Sequence, residues 1–289
     1  MSRDEAVYRG YRRAELELLY SHRHRIEGYD GYLERWPRES ATARERLDLI
    51  PDVAYGRRAA ERYDVFPAGP RAPVHVFFHG GYWHSQDKHG FEFMAPAWVA
   101  RGAAFVSANY PLCPTVTLPE IVESCRRCLA HVHDHAATWG GDPGRVFVSG
   151  HSAGGHIAAC LVSTGWEDLG RGRPADLVKG GAAVSGVYDL EPMRFLEVND
   201  TLRIDGATVR ECSPLRTVPR TAGPLLLAVG TGEGEEFARQ QRDHAAAWRS
   251  AGLECREMVL DGENHFSIVD GLAREDAELF AAVFALMEA

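Results

Sequence analysis

The sequence predicts an α/β protein built on a mostly parallel sheet covered by helices on both faces. Three observations carry this. Short apolar runs alternate with segments of helical period along most of the 289 residues. The apolar runs are continuous rather than alternating, as expected of strands buried on both sides. Glycine-rich turns stand directly after several of them, at the strand ends where such sheets bind ligands. No internal repeat, low-complexity tract or interdomain linker divides the chain, so one domain is expected over residues 1–289.

Taken in order, Asp4 to Tyr29 reads as a polar helical arm. "VAYG" and "ERYDVFPAG" read as short strands divided by turn residues. "PVHVFFHGG" (Pro73 to Gly81) and "AAFVSANY" (Ala103 to Tyr110) are buried strands. Leu118 to Gly141 has helical spacing and stops at glycines. "RVFVSG" (Arg145 to Gly150) is a strand, followed at once by the helix "AGGHIAACLVSTG". "GAAVSGVYDL" (Gly181 to Leu190) and "PLLLAVG" (Pro224 to Gly230) are strands, and Glu235 to Gly252 is a helix. "LECREMVLDG" is the last strand and "AREDAELFAAVFALMEA" the last helix. The irregular stretch from about Glu191 to Gly223 is a candidate small cap over the site.

Composition narrows the class. At 45% hydrophobic and 25% charged residues, the chain reads as an ordinary globular protein. No apolar run of about 18 residues occurs, so no membrane span is expected. "MSRDEAVYRGYRR" lacks the apolar segment of a secretory signal, and a cytoplasmic location is the expectation. A net charge of −9 disfavours nucleic acid or an anionic membrane as partner. The expected partner is a small-molecule substrate, with homodimerisation left open. The six cysteines read as reduced thiols, and the Cys125/Cys128 pair as two small hydrophobes on one helix face. No metal and no cofactor are expected.

"GHSAGG" (Gly150 to Gly155) follows a strand and opens a helix. Gly-x-Ser-x-Gly in that context is a tight elbow that presents Ser152 at the sheet's upper edge. The helix N-terminus favours negative charge there. "FFHGGYW" (Phe77 to Trp83) follows another buried strand, where its glycines let the backbone approach a substrate. The N–H groups of Gly81, Tyr82 and Ala153 are the expected oxyanion hole.

Ser152 needs a base. Of the 13 histidines, His131, His133 and His135 sit on a helix, where only the i, i+4 pair His131 and His135 could share an ion. A solvated face is the better reading. His151 and His156 lie on the wrong side of the serine in chain order. His265 lies in a loop after the last strand, where a Ser…acid…His order puts the base. The orienting acid should follow the strand before the last, which leaves Glu233, Glu235 and Glu236, with Asp189 as the outside candidate. The glycines of "VGTGEGEEF" do not make a dinucleotide fingerprint, because Gly-x-Gly-x-x-Gly would need glycine where Glu235 stands. That disfavours a nucleotide-binding oxidoreductase. The presence of both Ser152 and His265 disfavours a non-catalytic binding protein.

These motifs together resemble the α/β-hydrolase fold and, more narrowly, the arylformamidase (kynurenine formamidase) group of serine hydrolases. The matching segments are "HGGYW", "SQDK", "NYPLCP", "GHSAGGH", "SGVYDLEP", "EEFARQ" and "NHF", spread from about residue 75 to 270. The resemblance implies that Glu233 stands where the family usually has an aspartate. Glutamate reaches about 1.5 Å further, one C–C bond, and Gly232 and Gly234 give its loop room to sit back. It further implies hydrolysis of an N-formyl aryl amide, such as N-formylkynurenine, to formate and the free amine. A carboxylesterase acting on small acyl or aryl esters is the alternative. Tyr82, Trp83, Tyr188 and Phe266 are the candidate walls of an aryl pocket.

Overall fold

A computed structural model describes residues 5–170 and 172–288, the side chains of Arg23 and His24 excepted. Asp4 and Ala289, at the ends of the expected arm and last helix, lie outside the described residues. The chain opens with a small hairpin, β1 (Ala6–Tyr8) and β2 (Tyr11–Arg12). Eight strands then form the main sheet: β3 (Ile50–Ala54), β4 (Arg62–Phe66), β5 (Ala72–Phe78), β6 (Ala104–Ala108), β7 (Gly141–His151), β8 (Gly181–Val184), β9 (Leu225–Gly230) and β10 (Cys255–Leu260). Their spatial order is β10-β9-β8-β7-β5-β6-β4-β3. The pairs β3/β4 and β4/β6 are antiparallel and all the others parallel.

Both faces of the sheet are covered, which explains the continuous apolar runs. Along β5, Val74, Val76 and Phe78 enter one core, while Phe77 enters the other. The first core packs under the helices Leu118–His135, Ala153–Val162 and Glu235–Ser250. The second packs under Ala95–Ala100 and Glu278–Glu288. Cys125 and Cys128 are buried on the inward face of their helix, where burial pushes both thiols up. His131 and His135 stack on each other, and His131 bonds Tyr63. Among the described residues no helix is long and apolar enough to cross a membrane.

Three elements differ from the sequence reading. The arm is not one helix; after the hairpin come two short helices, Arg13–Tyr20 and His22–Arg25. A long helix, Tyr29–Arg46, follows, although Pro37 stands inside it and its outer face is strongly polar. Its buried Trp36 donates to Asp270, which ties the helix to the C-terminal part of the chain. The strand expected to run to Leu190 stops at Val184. Ser185 there takes φ 53°, outside the range a strand can use. The stretch between β8 and β9 contains the short helices Pro192–Phe195, Asn199–Leu202, Gly206–Cys212 and Pro214–Arg216.

Candidate active site

Ser152 sits between the end of β7 and the start of the helix Ala153–Val162. Its backbone is strained, with φ 57° and ψ −116°. Such a conformation costs a non-glycine residue about 1–3 kcal/mol. The surrounding packing enforces it. A Cβ at Gly150 would lie 2.1 Å from the Gly154 carbonyl oxygen, and one at Gly154 would lie 1.9 Å from that of Phe78. Only hydrogen fits at either place, so the two glycines of the motif are needed for close approach between the elbow and β5.

His265 lies in the loop after β10. Its Nε2 is 3.0 Å from Ser152 Oγ and its Nδ1 2.6 Å from Glu233 Oε2. With the Nδ1 proton donated to the carboxylate, Nε2 is left as an acceptor facing the serine hydroxyl. Glu233 is fully buried at the end of β9. Its other oxygen, Oε1, accepts from Ser185 Oγ at 2.6 Å and from Gly230 N–H at 2.7 Å. Three hydrogen bonds therefore fix the position of this buried carboxylate. The neighbouring glycines bring the two loops together. A Cβ at Gly230 would stand 2.2 Å from the Glu263 carbonyl oxygen, and Gly232 N–H donates to that same oxygen.

The other acids are elsewhere. Glu235 is exposed. Glu236 pairs with Arg239 and accepts from the Tyr20 hydroxyl. Asp189 pairs with Arg216 and accepts from Tyr8. Of the four carboxylates, only Glu233 bonds to His265. Ser185, which steadies it, escaped the sequence reading. The signal available was a small hydroxyl residue ending the strand beside β9.

The His-Gly-Gly turn after β5 is anchored by its histidine. His79 is buried, stacks on Tyr110 and bonds the side-chain amide of Asn109 at 3.0 Å. The Tyr110 hydroxyl donates to the His79 carbonyl. Gly81, Tyr82 and Trp83 then run at φ 106°, 49° and 56°. A Cβ at Gly80 would touch Ser152 Cβ at 3.2 Å, so this backbone lies directly against the serine. Ala153 begins the helix on the serine's other side.

A cavity of about 200 Å³ opens above Ser152 and His265. Its walls include Gly80, Gly81 and Tyr82 from the turn, Leu196 and Val198 from the stretch between β8 and β9, and Phe266. Tyr20, His22, Leu33 and Trp36 also line it, all from the first 46 residues. Two aromatic expectations need correction. Trp83 is fully buried away from the cavity and donates to His156 Nδ1. Tyr188 is in the core, stacked on His244. The positive φ values at Tyr82 and Trp83 turn the chain so that Tyr82, not Trp83, faces the cavity.

Two sets of side chains among the described residues lie close enough to share an ion: His22, Glu233 and His265, and Asp64, His89 and Glu92. In the first, the two imidazoles are stacked 3.8 Å apart at an interplanar angle of 9°. Their in-plane lone pairs run side by side rather than converging on a tetrahedral centre. In the second, Lys88 and Arg44 already supply the compensating charge.

Comparison with known proteins gives the family. A family model described as BD-FAE matches residues 66–172. A kynurenine formamidase from Danio rerio is 31% identical over 242 residues, covering 81% of this chain and 80% of its own. The chain belongs to the kynurenine formamidase family. This membership makes it a hydrolase of the α/β-hydrolase fold. The family is close to esterases: esterase LipQ of Mycobacterium tuberculosis is 32% identical over 223 residues, 70% of this chain and 53% of its own. The crystal structure of a putative thioesterase from Silicibacter superposes with a TM-score of 0.83 at 25% identity, covering 93% of this kynurenine formamidase family member and 99% of that chain.

Proposed function

We propose that Ser152, His265 and Glu233 hydrolyse an N-formyl aryl amide, such as N-formylkynurenine, to formate and the free amine. The observation that carries this reading is the continuous hydrogen-bonded line from Glu233 through His265 to Ser152 beneath a cavity walled by aromatic side chains.

His265 Nε2 accepts the proton of Ser152 as Oγ attacks the formyl carbon. Glu233 holds the ring in the required tautomer and stabilises the imidazolium. The N–H groups of Gly81, Tyr82 and Ala153 take the tetrahedral oxyanion; one such donor contributes about 2.7–4 kcal/mol in comparable enzymes. His265 returns the proton to the departing aryl amine, breaking the C–N bond and leaving formyl-serine. Water, deprotonated by the same imidazole, then releases formate and restores Ser152. Tyr20, Tyr82, Trp36, Phe91 and Phe266 supply apolar surface for the aryl group.

Hydrolysis of small aryl or acyl esters is the second reading, favoured by the likeness to esterase LipQ. The two separate in one comparison of kcat/KM: formate release from N-formylkynurenine and N-formylaniline against hydrolysis of p-nitrophenyl acetate and butyrate. A formamidase turns over N-formylkynurenine with the higher kcat/KM. Ester hydrolysis with no formate release overturns the formamide assignment.

A further inference from the structure

His22 takes no part in the hydrogen-bonded line, yet its ring is the flattest neighbour of the base. It is 3% exposed, it lines the cavity, and neither ring nitrogen has a hydrogen-bond partner. Its plane lies on that of His265, with centroids 3.8 Å apart at 9°. Phe237 packs edge-on against both rings, at 4.5 Å from His22 and 5.2 Å from His265. The His151 ring is 4.7 Å from His265 at 50°.

The two bonds made by His265 lie at opposite edges of its ring, Nδ1 to Glu233 and Nε2 to Ser152. They fix the ends of an axis but leave rotation about that axis weakly restrained. A plate against one ring face removes this freedom. Burying two unpaired imidazole nitrogens costs stability, which a purely space-filling side chain would not incur. Burial, then the charge that His265 acquires, holds the titration of His22 well below the usual histidine range.

We infer that His22 is a positioning residue for His265: the N-terminal arm lays a flat aromatic ring on the base and fixes its plane. This rests on His265 acting as the base. Three variants test it, His22→Leu, His22→Phe and His265→Ala, each checked for an unchanged far-ultraviolet spectrum and cooperative unfolding. The measurements are kcat and KM for p-nitrophenyl acetate and the rate of Ser152 labelling by a fluorophosphonate.

His22→Leu keeps apolar bulk without a π face; kcat and the labelling rate should fall about tenfold while KM stays within about threefold. His22→Phe restores a flat ring and should recover both rates to within about threefold of wild type. Wild-type kcat in His22→Leu, or an equal loss in His22→Phe, overturns the inference. His265→Ala at near wild-type activity would instead sink the base assignment itself, a separate failure.

Discussion

Replacing Glu233 by glutamine changes one atom and tests the whole reading of the site. The glutamate accepts three hydrogen bonds and is fully buried. Glutamine brings one acceptor oxygen and one donor NH₂. Gly230 N–H is fixed by the backbone and points at Oε1, so the amide oxygen must stay on that side. The NH₂ then faces His265 Nδ1 and donates to it. His265 answers by placing its proton on Nε2, where it donates towards Ser152 instead of accepting from it. The base is lost while the geometry is kept. The comparable change of an orienting acid to its amide elsewhere lowers kcat about 10⁴-fold, or about 5.4 kcal/mol at 1.36 kcal/mol per tenfold. Steady-state hydrolysis of p-nitrophenyl acetate and N-formylkynurenine, with fluorophosphonate labelling, measures this. Both should fall together while thermal unfolding stays cooperative. Glu236→Gln should leave kcat within a few-fold, since that carboxylate pairs with Arg239. A Glu233→Gln enzyme within tenfold of wild type would refute the argument.

Other outcomes follow from the same geometry. Ser152→Ala should abolish turnover and fluorophosphonate labelling without lowering the Tm; persisting labelling would place the nucleophile elsewhere. Ser185→Ala removes one of three bonds to the buried Glu233 carboxylate, each worth about 1.5–3 kcal/mol, so the Tm should fall by several degrees and kcat by about tenfold. An unchanged Tm and kcat would deny that Ser185 steadies the acid. Glu92 is buried beside Asp64, and burial pushes its carboxyl up to about 8. Protonation of Glu92 thus adds stability that is fully present below the ordinary carboxyl range and is lost as pH rises through about 8. This contribution to the wild-type Tm should fall between about pH 5 and 8, and Glu92→Gln should flatten that fall; parallel curves would refute the protonated state.

The catalytic candidates were legible because their positions follow the strands. Ser152 could be placed from the six residues Gly150 to Gly155 and their strand-to-helix context, and His265 from its position after the last strand. The residues alone left Glu233 among four acids; the family resemblance singled it out, and it is the one of the four that bonds His265. The pocket was not legible for a different reason. Trp36 and His22 meet Phe266 and His265 across more than 200 residues of chain, and no local pattern encodes such a contact. Pro37 and a run of charges also masked the helix that carries Trp36. Trp83 and Tyr188 misled because adjacency to a motif says nothing about side-chain direction once the backbone turns through positive φ.

The sheet and the arm divide the work. The strands and the elbow place the hydrogen-bonded line, and they do so from residues after position 72. Residues between 17 and 36 then close the cavity around it. Their attachments concentrate near the acid: Tyr20 donates to Glu236, Gln240 donates to Tyr20, and Arg25 donates to the Glu233 carbonyl. Tyr82, whose N–H belongs to the expected oxyanion hole, donates its hydroxyl to the Tyr20 carbonyl. The arm thus grips both sides of the site, the acid loop through Arg25 and the His-Gly-Gly turn through Tyr20. Loosening it would open the cavity wall and disturb the proposed catalytic groups together. Variation in this arm is therefore a route by which one hydrolytic centre could be fitted to different leaving groups without altering Ser152, His265 or Glu233.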